Sequence, residues 1–165
     1  MTLSTFSAPR NRKALLTAAA FWFVLPSIAQ NNNVLTVAPP EKVIAKIGSA
    51  TQVKVSLEVR TGYHCNSNKP LDDYLIPLKL TWAPGPLESP EVTYPAPQME
   101  KYSFSPTPLS VYTGSFDLVT KFKVSTSATP GQAIITGKLK YQACNDRMCL
   151  TPKTIDVSIP IDIIK

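Results

Sequence analysis

The sequence holds one histidine, three cysteines and two tryptophans in 165 residues, and no apolar run reaches the roughly 20 residues that a bilayer-spanning helix needs. A single histidine argues against a zinc centre. Four ligands would have to include His64 and Cys65, which on a strand point to opposite faces unless the chain breaks at Gly62. No serine-nucleophile motif accompanies His64, so a hydrolase is not indicated and the residue reads as an ordinary surface histidine. Lys and Arg gather on no single face and no aromatic ladder lies among them, which argues against nucleic acid. A helical period is missing as well, and no segment repeats.

What is present begins with an export signal over residues 1–29. Arg10, Arg12 and Lys13 form a basic region, Ala14 to Val24 an apolar core of eleven residues, and Pro26-Ser27-Ile28-Ala29 a small-residue cleavage pattern. The expected mature chain, Gln30 to Lys165, is one domain of 136 residues, long enough to bury a core. It is expected to be exported or periplasmic, without a membrane span after cleavage and without a lipid at the cleavage point, an uncleaved anchor being the alternative. Fourteen basic residues against eleven acidic ones leave it a net +3, so the whole-chain +6 overstates its basicity.

Period-two alternation runs through this domain. Val53, Val55, Leu57 and Val59 alternate with polar residues from Gln52 to Arg60. Shorter strands are expected over Lys42 to Lys46, Leu78 to Trp82 and Glu91 to Tyr94, and a longer one over Phe116 to Val124. In the last pair Ala133, Ile135, Leu139, Tyr141 and Ala143 face inward, opposite Ile155, Val157, Ile159, Ile161 and Ile163. The fold class is therefore all-β, an antiparallel sandwich. Pro160 makes the final strand an edge, or bulged, at that point. Pro95 to Pro108 reads as a Pro-rich loop: a plain surface connection, or a cover whose Met99, Tyr102 and Phe104 shield something reactive.

The chemistry lies at Cys144 and Cys149, at the tip of the last hairpin. The phase sends Lys138, Lys140, Gln142 and Cys144 outward, and Asn145 to Met148 form a turn that brings the two cysteines within disulfide reach. Three readings stay open. A structural staple would contribute only about 2 kcal/mol for so short a loop. A redox pair is favoured by Lys138, Lys140, Arg147 and Lys153, which promote the thiolate. Cys144, Met148 and Cys149 are also soft ligands of the kind that suit Cu(I). The third thiol, Cys65, falls in the inward phase with Tyr63 and reads as a buried apolar residue, a reactive or intermolecular role being the alternative, with His64 outward.

YQACNDRMCLTPKTIDVSIPI and GYHCNSNKPLDDYLIPLKLTW resemble the end and a characteristic earlier segment of the N-terminal periplasmic domain of the DsbD thiol–disulfide interchange family. The resemblance covers essentially the whole mature chain. It implies an immunoglobulin-like sandwich, with no cofactor, whose cysteine pair cycles between dithiol and disulfide. Its partners would be thioredoxin-like exported oxidoreductases and a membrane electron donor, here a separate protein because the chain stops at Lys165. By that resemblance Cys149 forms the mixed disulfides and Cys144 resolves them. The turn between them is one residue shorter than in the best-known members. The family's acidic-aromatic cap loop is not evident in the sequence, and Tyr102 and Phe104 are its nearest counterparts. The expectation is thus a monomeric periplasmic thiol–disulfide oxidoreductase of the protein-disulfide reductase type, set against a non-catalytic immunoglobulin-like binding module with a structural disulfide.

Overall fold

The computed structural model describes residues 33–165. The expected signal and its cleavage pattern lie outside the described residues. Twelve strands follow in chain order: β1 (Leu35–Val37), β2 (Val43–Lys46), β3 (Ala50–Val59), β4 (His64–Asn66), β5 (Lys79–Trp82), β6 (Leu87–Thr93), β7 (Gln98–Glu100), β8 (Leu109–Tyr112), β9 (Ser115–Val124), β10 (Gly131–Tyr141), β11 (Ala143–Cys144) and β12 (Lys153–Ile164). They form three four-stranded sheets, ordered β1-β3-β9-β6, β2-β12-β10-β5 and β11-β4-β8-β7.

The first two sheets make the immunoglobulin-like sandwich, and alternation explains both. On β3 the side chains Val53, Val55, Leu57 and Val59 are buried while Gln52, Lys54 and Glu58 stay out. Leu118, Phe122 and Val124 of β9 face the same core. From the other sheet come Ile135, Leu139 and Tyr141 of β10, and Val157, Ile159, Ile161 and Ile163 of β12. Trp82 joins the layers: its Nε1 donates to Thr120 Oγ1 at 3.0 Å, and its ring meets Phe122 edge-on at 5.3 Å. The indole fits because Gly137 lies opposite it, where a Cβ would come within 2.9 Å of Trp82 Cε3.

Pro160 lies on a locally free edge, one of the two expected outcomes, and one pairing of the sandwich departs from expectation. Pro160 pairs with Ile134 in a register that runs unbroken along β10 and β12, so no bulge forms there. On its other side β12 gains β2 only from Ile161 onward, which leaves Pro160 where its missing N–H breaks no ladder bond. That β2–β12 pairing is parallel, within an otherwise antiparallel fold.

The third sheet was not foreseen. The chain enters it twice from the sandwich. After β3 it turns at Gly62, whose φ of 83° only glycine adopts freely, and becomes β4. After β10 it passes through Gln142 and becomes β11, which pairs with β4 rather than with β12. The Pro-rich segment contributes to this sheet too, because β7 inside it pairs with β8. Among the described residues no helix is long and apolar enough to cross a membrane.

Candidate functional site

Cys144 and Cys149 are joined in a disulfide, with Cα atoms 3.9 Å apart. Between them Asn145 N donates to Met148 O at 3.0 Å, and Asn145 Oδ1 accepts from the backbone N–H groups of Arg147 and Met148, each at 2.9 Å. An asparagine side chain closing its own turn in this way fixes a tight connection. Beyond the pair, Leu150 N returns a bond to Ala143 O at 2.8 Å.

The two sulfurs differ in surroundings. Cys149 is half-buried in the turn, whereas Cys144 is wholly buried. The expectation that Cys144 continues an outward, solvent-facing row is therefore corrected. The row ends at Gln142, where the strand leaves the sandwich, and β11 is covered on both faces. Gln142 is itself no surface residue. Its Oε1 accepts from Asn66 Nδ2 and from Ile76 N, both at 3.1 Å, and its Nε2 donates to Leu150 O at 3.2 Å. One amide thus ties together β4, the 67–78 connection and the residue following Cys149.

His64 is corrected in the same way. It is buried, not exposed, and it stands directly opposite Cys144 in the β4–β11 pairing. Directly opposed residues of an antiparallel pair project to one face with Cβ atoms roughly 5 Å apart. Over His64 lies Tyr102, stacked at 4.0 Å, with Phe104 parallel to the imidazole at 6.4 Å. Burial pushes the imidazole pKa below its ordinary value, and the Glu100 carboxylate opposes that shift in part. His64 Nε2 has no hydrogen-bond partner among the described residues.

Tyr102 sits on a satellite cluster of Leu75, Leu109 and Val111. Its hydroxyl donates to Glu100. Burial, and then that bond, raise the phenol pKa above its ordinary value. Ser103 Oγ donates to Asp146 O at 3.1 Å, fastening this segment to the cysteine turn. The acidic group beside the aromatic ones is therefore Glu100, which sequence reasoning missed. No local pattern in the sequence marks it.

Of the basic residues expected around the pair, Arg147 lies exposed in the cysteine turn. Lys138, Lys140 and Lys153 stand on the β10–β12 ladder, with Lys138 held by Asp156 at 2.8 Å. The open groove of about 460 Å³ beside His64 has mixed charge, with Arg60 against Glu100 and Asp146. A larger groove of about 730 Å³ on the outer face of β5, β10 and β12 includes neither cysteine nor His64. Cys65 is free and buried, as expected, with its thiol pKa pushed up to about 12 by desolvation. It projects from β4 away from His64 and pairs with Ala143 and Tyr112. Among the described residues no three His, Cys, Asp or Glu side chains converge as a metal cluster would require, and Met148 is largely exposed.

No curated protein matches the chain. The N-terminal periplasmic domain of ScsB from Proteus mirabilis has a TM-score of 0.52 at 12% identity, over 78% of this chain and 44% of that one, so the present chain spans less than half of it. The reduced N-terminal domain of Neisseria meningitidis DsbD aligns at 16% identity with a TM-score of 0.38, over 67% of this chain and 77% of that one. Residues 33–160 match the family described as thiol:disulfide interchange protein DsbD, N-terminal, and the chain belongs to that family.

Proposed function

We propose that this domain exchanges disulfides with thioredoxin-like protein partners in the periplasm, carrying electrons from a membrane donor to exported acceptors through Cys144 and Cys149. The observation that carries this reading is the asymmetry of the pair: one sulfur buried, the other half-exposed in a turn that a single serine hydroxyl fastens to an aromatic cover. A partner thiolate reaching the site would meet Cys149 first. It attacks that sulfur, the 144–149 bond breaks, and the electron pair passes to Cys144. In the reverse direction the Cys149 thiolate attacks a partner disulfide, and Cys144 then displaces the partner. Tyr102 and Phe104 act as the cap, limiting access by small thiols while the domain is alone. The site needs no cofactor, and the domain works as a monomer.

Trapping tests the assignment. Cys144→Ser should accumulate a covalent, reductant-sensitive adduct with an exported thioredoxin-like protein after acid quenching, and Cys149→Ser should not. An adduct with Cys149→Ser alone would reverse the two roles. No adduct from either, with a reduction potential below about −300 mV, would make the bond a structural staple in a non-catalytic binding module.

A further inference from the structure

A neutral imidazole buried against a cysteine pair, with one nitrogen unsatisfied, is expensive to keep. An unpaired buried polar nitrogen costs on the order of 1–3 kcal/mol, and such groups in native structures call for an explanation. A leucine or phenylalanine would fill the same space beneath Tyr102 without that cost.

We propose that His64 is the general base that activates Cys144 for the resolving step. The inference rests on the exchange reading above and deepens it. Three observations place the residue. His64 is the cross-strand partner of Cys144, so both side chains project to one face of the β4–β11 pair. Both are fully buried, in a region that excludes the water that would otherwise accept the thiol proton. The Nε2 of His64 is unclaimed by any described residue.

The titratable and charged groups around it also fit the role. Glu100 comes from β7, Tyr102 from the cap, Arg60 and Tyr63 from the turn before β4, and Asp146 from the cysteine turn. Arg60 lies over the Tyr63 ring at 4.6 Å. Glu100 is the charge that opposes the effect of burial on His64, so it stabilises the imidazolium formed when the base takes a proton. Burial keeps the resting imidazole neutral and ready to accept one.

The step balances. In a mixed disulfide between Cys149 and a partner, His64 takes the proton from the Cys144 thiol. The Cys144 thiolate attacks Cys149 Sγ, the bond from Cys149 to the partner breaks, and the partner leaves as a thiolate. The 144–149 disulfide forms, the partner is reduced, and the proton held by His64 passes to the departing thiolate or to solvent as the cap reopens.

Ellman's reagent separates the two halves of the reaction on the reduced protein. Cys149 releases the first thionitrobenzoate, and attack by Cys144 on the resulting mixed disulfide releases the second. In His64→Gln the second phase should slow about 100-fold at pH 7, at the lower end of what a positioned base supplies, while the first stays within about threefold. The wild-type second phase should level off above the titration of His64, whereas in the variant it should climb about tenfold per pH unit with the thiolate fraction. His64→Phe keeps an aromatic ring under Tyr102 without a base and should match His64→Gln. A second phase in either variant within about fivefold of wild type, or equal slowing of both phases, would overturn the proposal. Failure of the wild-type protein to release a second equivalent would instead overturn the exchange reading, and this inference with it.

Discussion

Removing the Tyr102 ring should open the disulfide to small reductants by an amount the contacts allow one to work out. In the proposed cap, the contacts that would hold Tyr102 over the site are its stack on His64 at 4.0 Å and its hydrogen bond to the Glu100 carboxylate. An aromatic stack contributes about 1 kcal/mol beyond burial. A half-exposed, charge-assisted hydrogen bond adds about another 1 kcal/mol, a value lowered for solvent screening. If the disulfide reacts only from the open state, losing about 2 kcal/mol of closure raises the open population about 30-fold, since each 1.4 kcal/mol is tenfold. Tyr102→Ala should therefore be reduced by dithiothreitol about 30-fold faster than wild type, read as release of two thiols under pseudo-first-order conditions. Tyr102→Phe, which keeps the stack and loses the bond to Glu100, should fall between them at about fivefold. Because Tyr102 packs on the satellite cluster and not on the main core, global stability should change far less than the reduction rate. An acceleration below threefold in Tyr102→Ala would show that this ring does not gate access. A rate that rises only in step with global unfolding would refute the gating argument too.

Two further outcomes concern the frame around the site. Gln142→Leu keeps the volume but leaves Ile76 N without its acceptor and Leu150 O without its donor, so urea denaturation should show a loss of about 2–4 kcal/mol. Native Cys65 should resist iodoacetamide at pH 9 and react fully once unfolded, since burial raises its thiol to about 12. Burial favours the neutral thiol, so the folded state loses stability as pH climbs from the ordinary thiol range toward 12, and Cys65→Ala should flatten that decline.

The sandwich was legible in the sequence for a physical reason. Each of its long strands is buried on one face and wet on the other, so β3, β10 and β12 write their orientation as alternating residues. The phase read from Leu139 and Tyr141 to Ala143 held through every inward position. It failed one residue later, at Cys144. Strands β4 and β11 are buried on both faces, so the run His64-Cys65-Asn66 and the pair Ala143-Cys144 carry no alternation to read. That is why His64 was placed outside and Cys144 in solvent. Tyr102 and Phe104 drew notice by their position in a Pro-rich segment, and both rings stack over His64. Glu100 drew no such notice, because nothing in the local pattern says that a carboxylate will meet a tyrosine hydroxyl two residues on. Gln142 escaped for the opposite reason: its place in a polar row looked fully explained by exposure.

The third sheet also shows why the chemistry sits at the end of the sandwich and not on its flanks. A flank offers a strand with one wet face, where a thiol is freely accessible and water competes for every proton. Where β3 and β10 run past the sandwich and pair again as β4 and β11, a covering segment can close over the second face, and here residues 98–104 do so. Rigid strands then hold His64 and Cys144 in register in a dry environment, while the turn after β11 carries Cys149 back toward solvent. One short stretch of chain thereby gives two sulfurs, five residues apart, different access to water and to partners. A hairpin at the tip of an ordinary two-faced ladder would expose both sulfurs alike, and its order of attack would not be set by structure. In this fold the two sulfurs differ in exposure because of where the strands leave the sandwich, and the proposed order of attack rests on that difference.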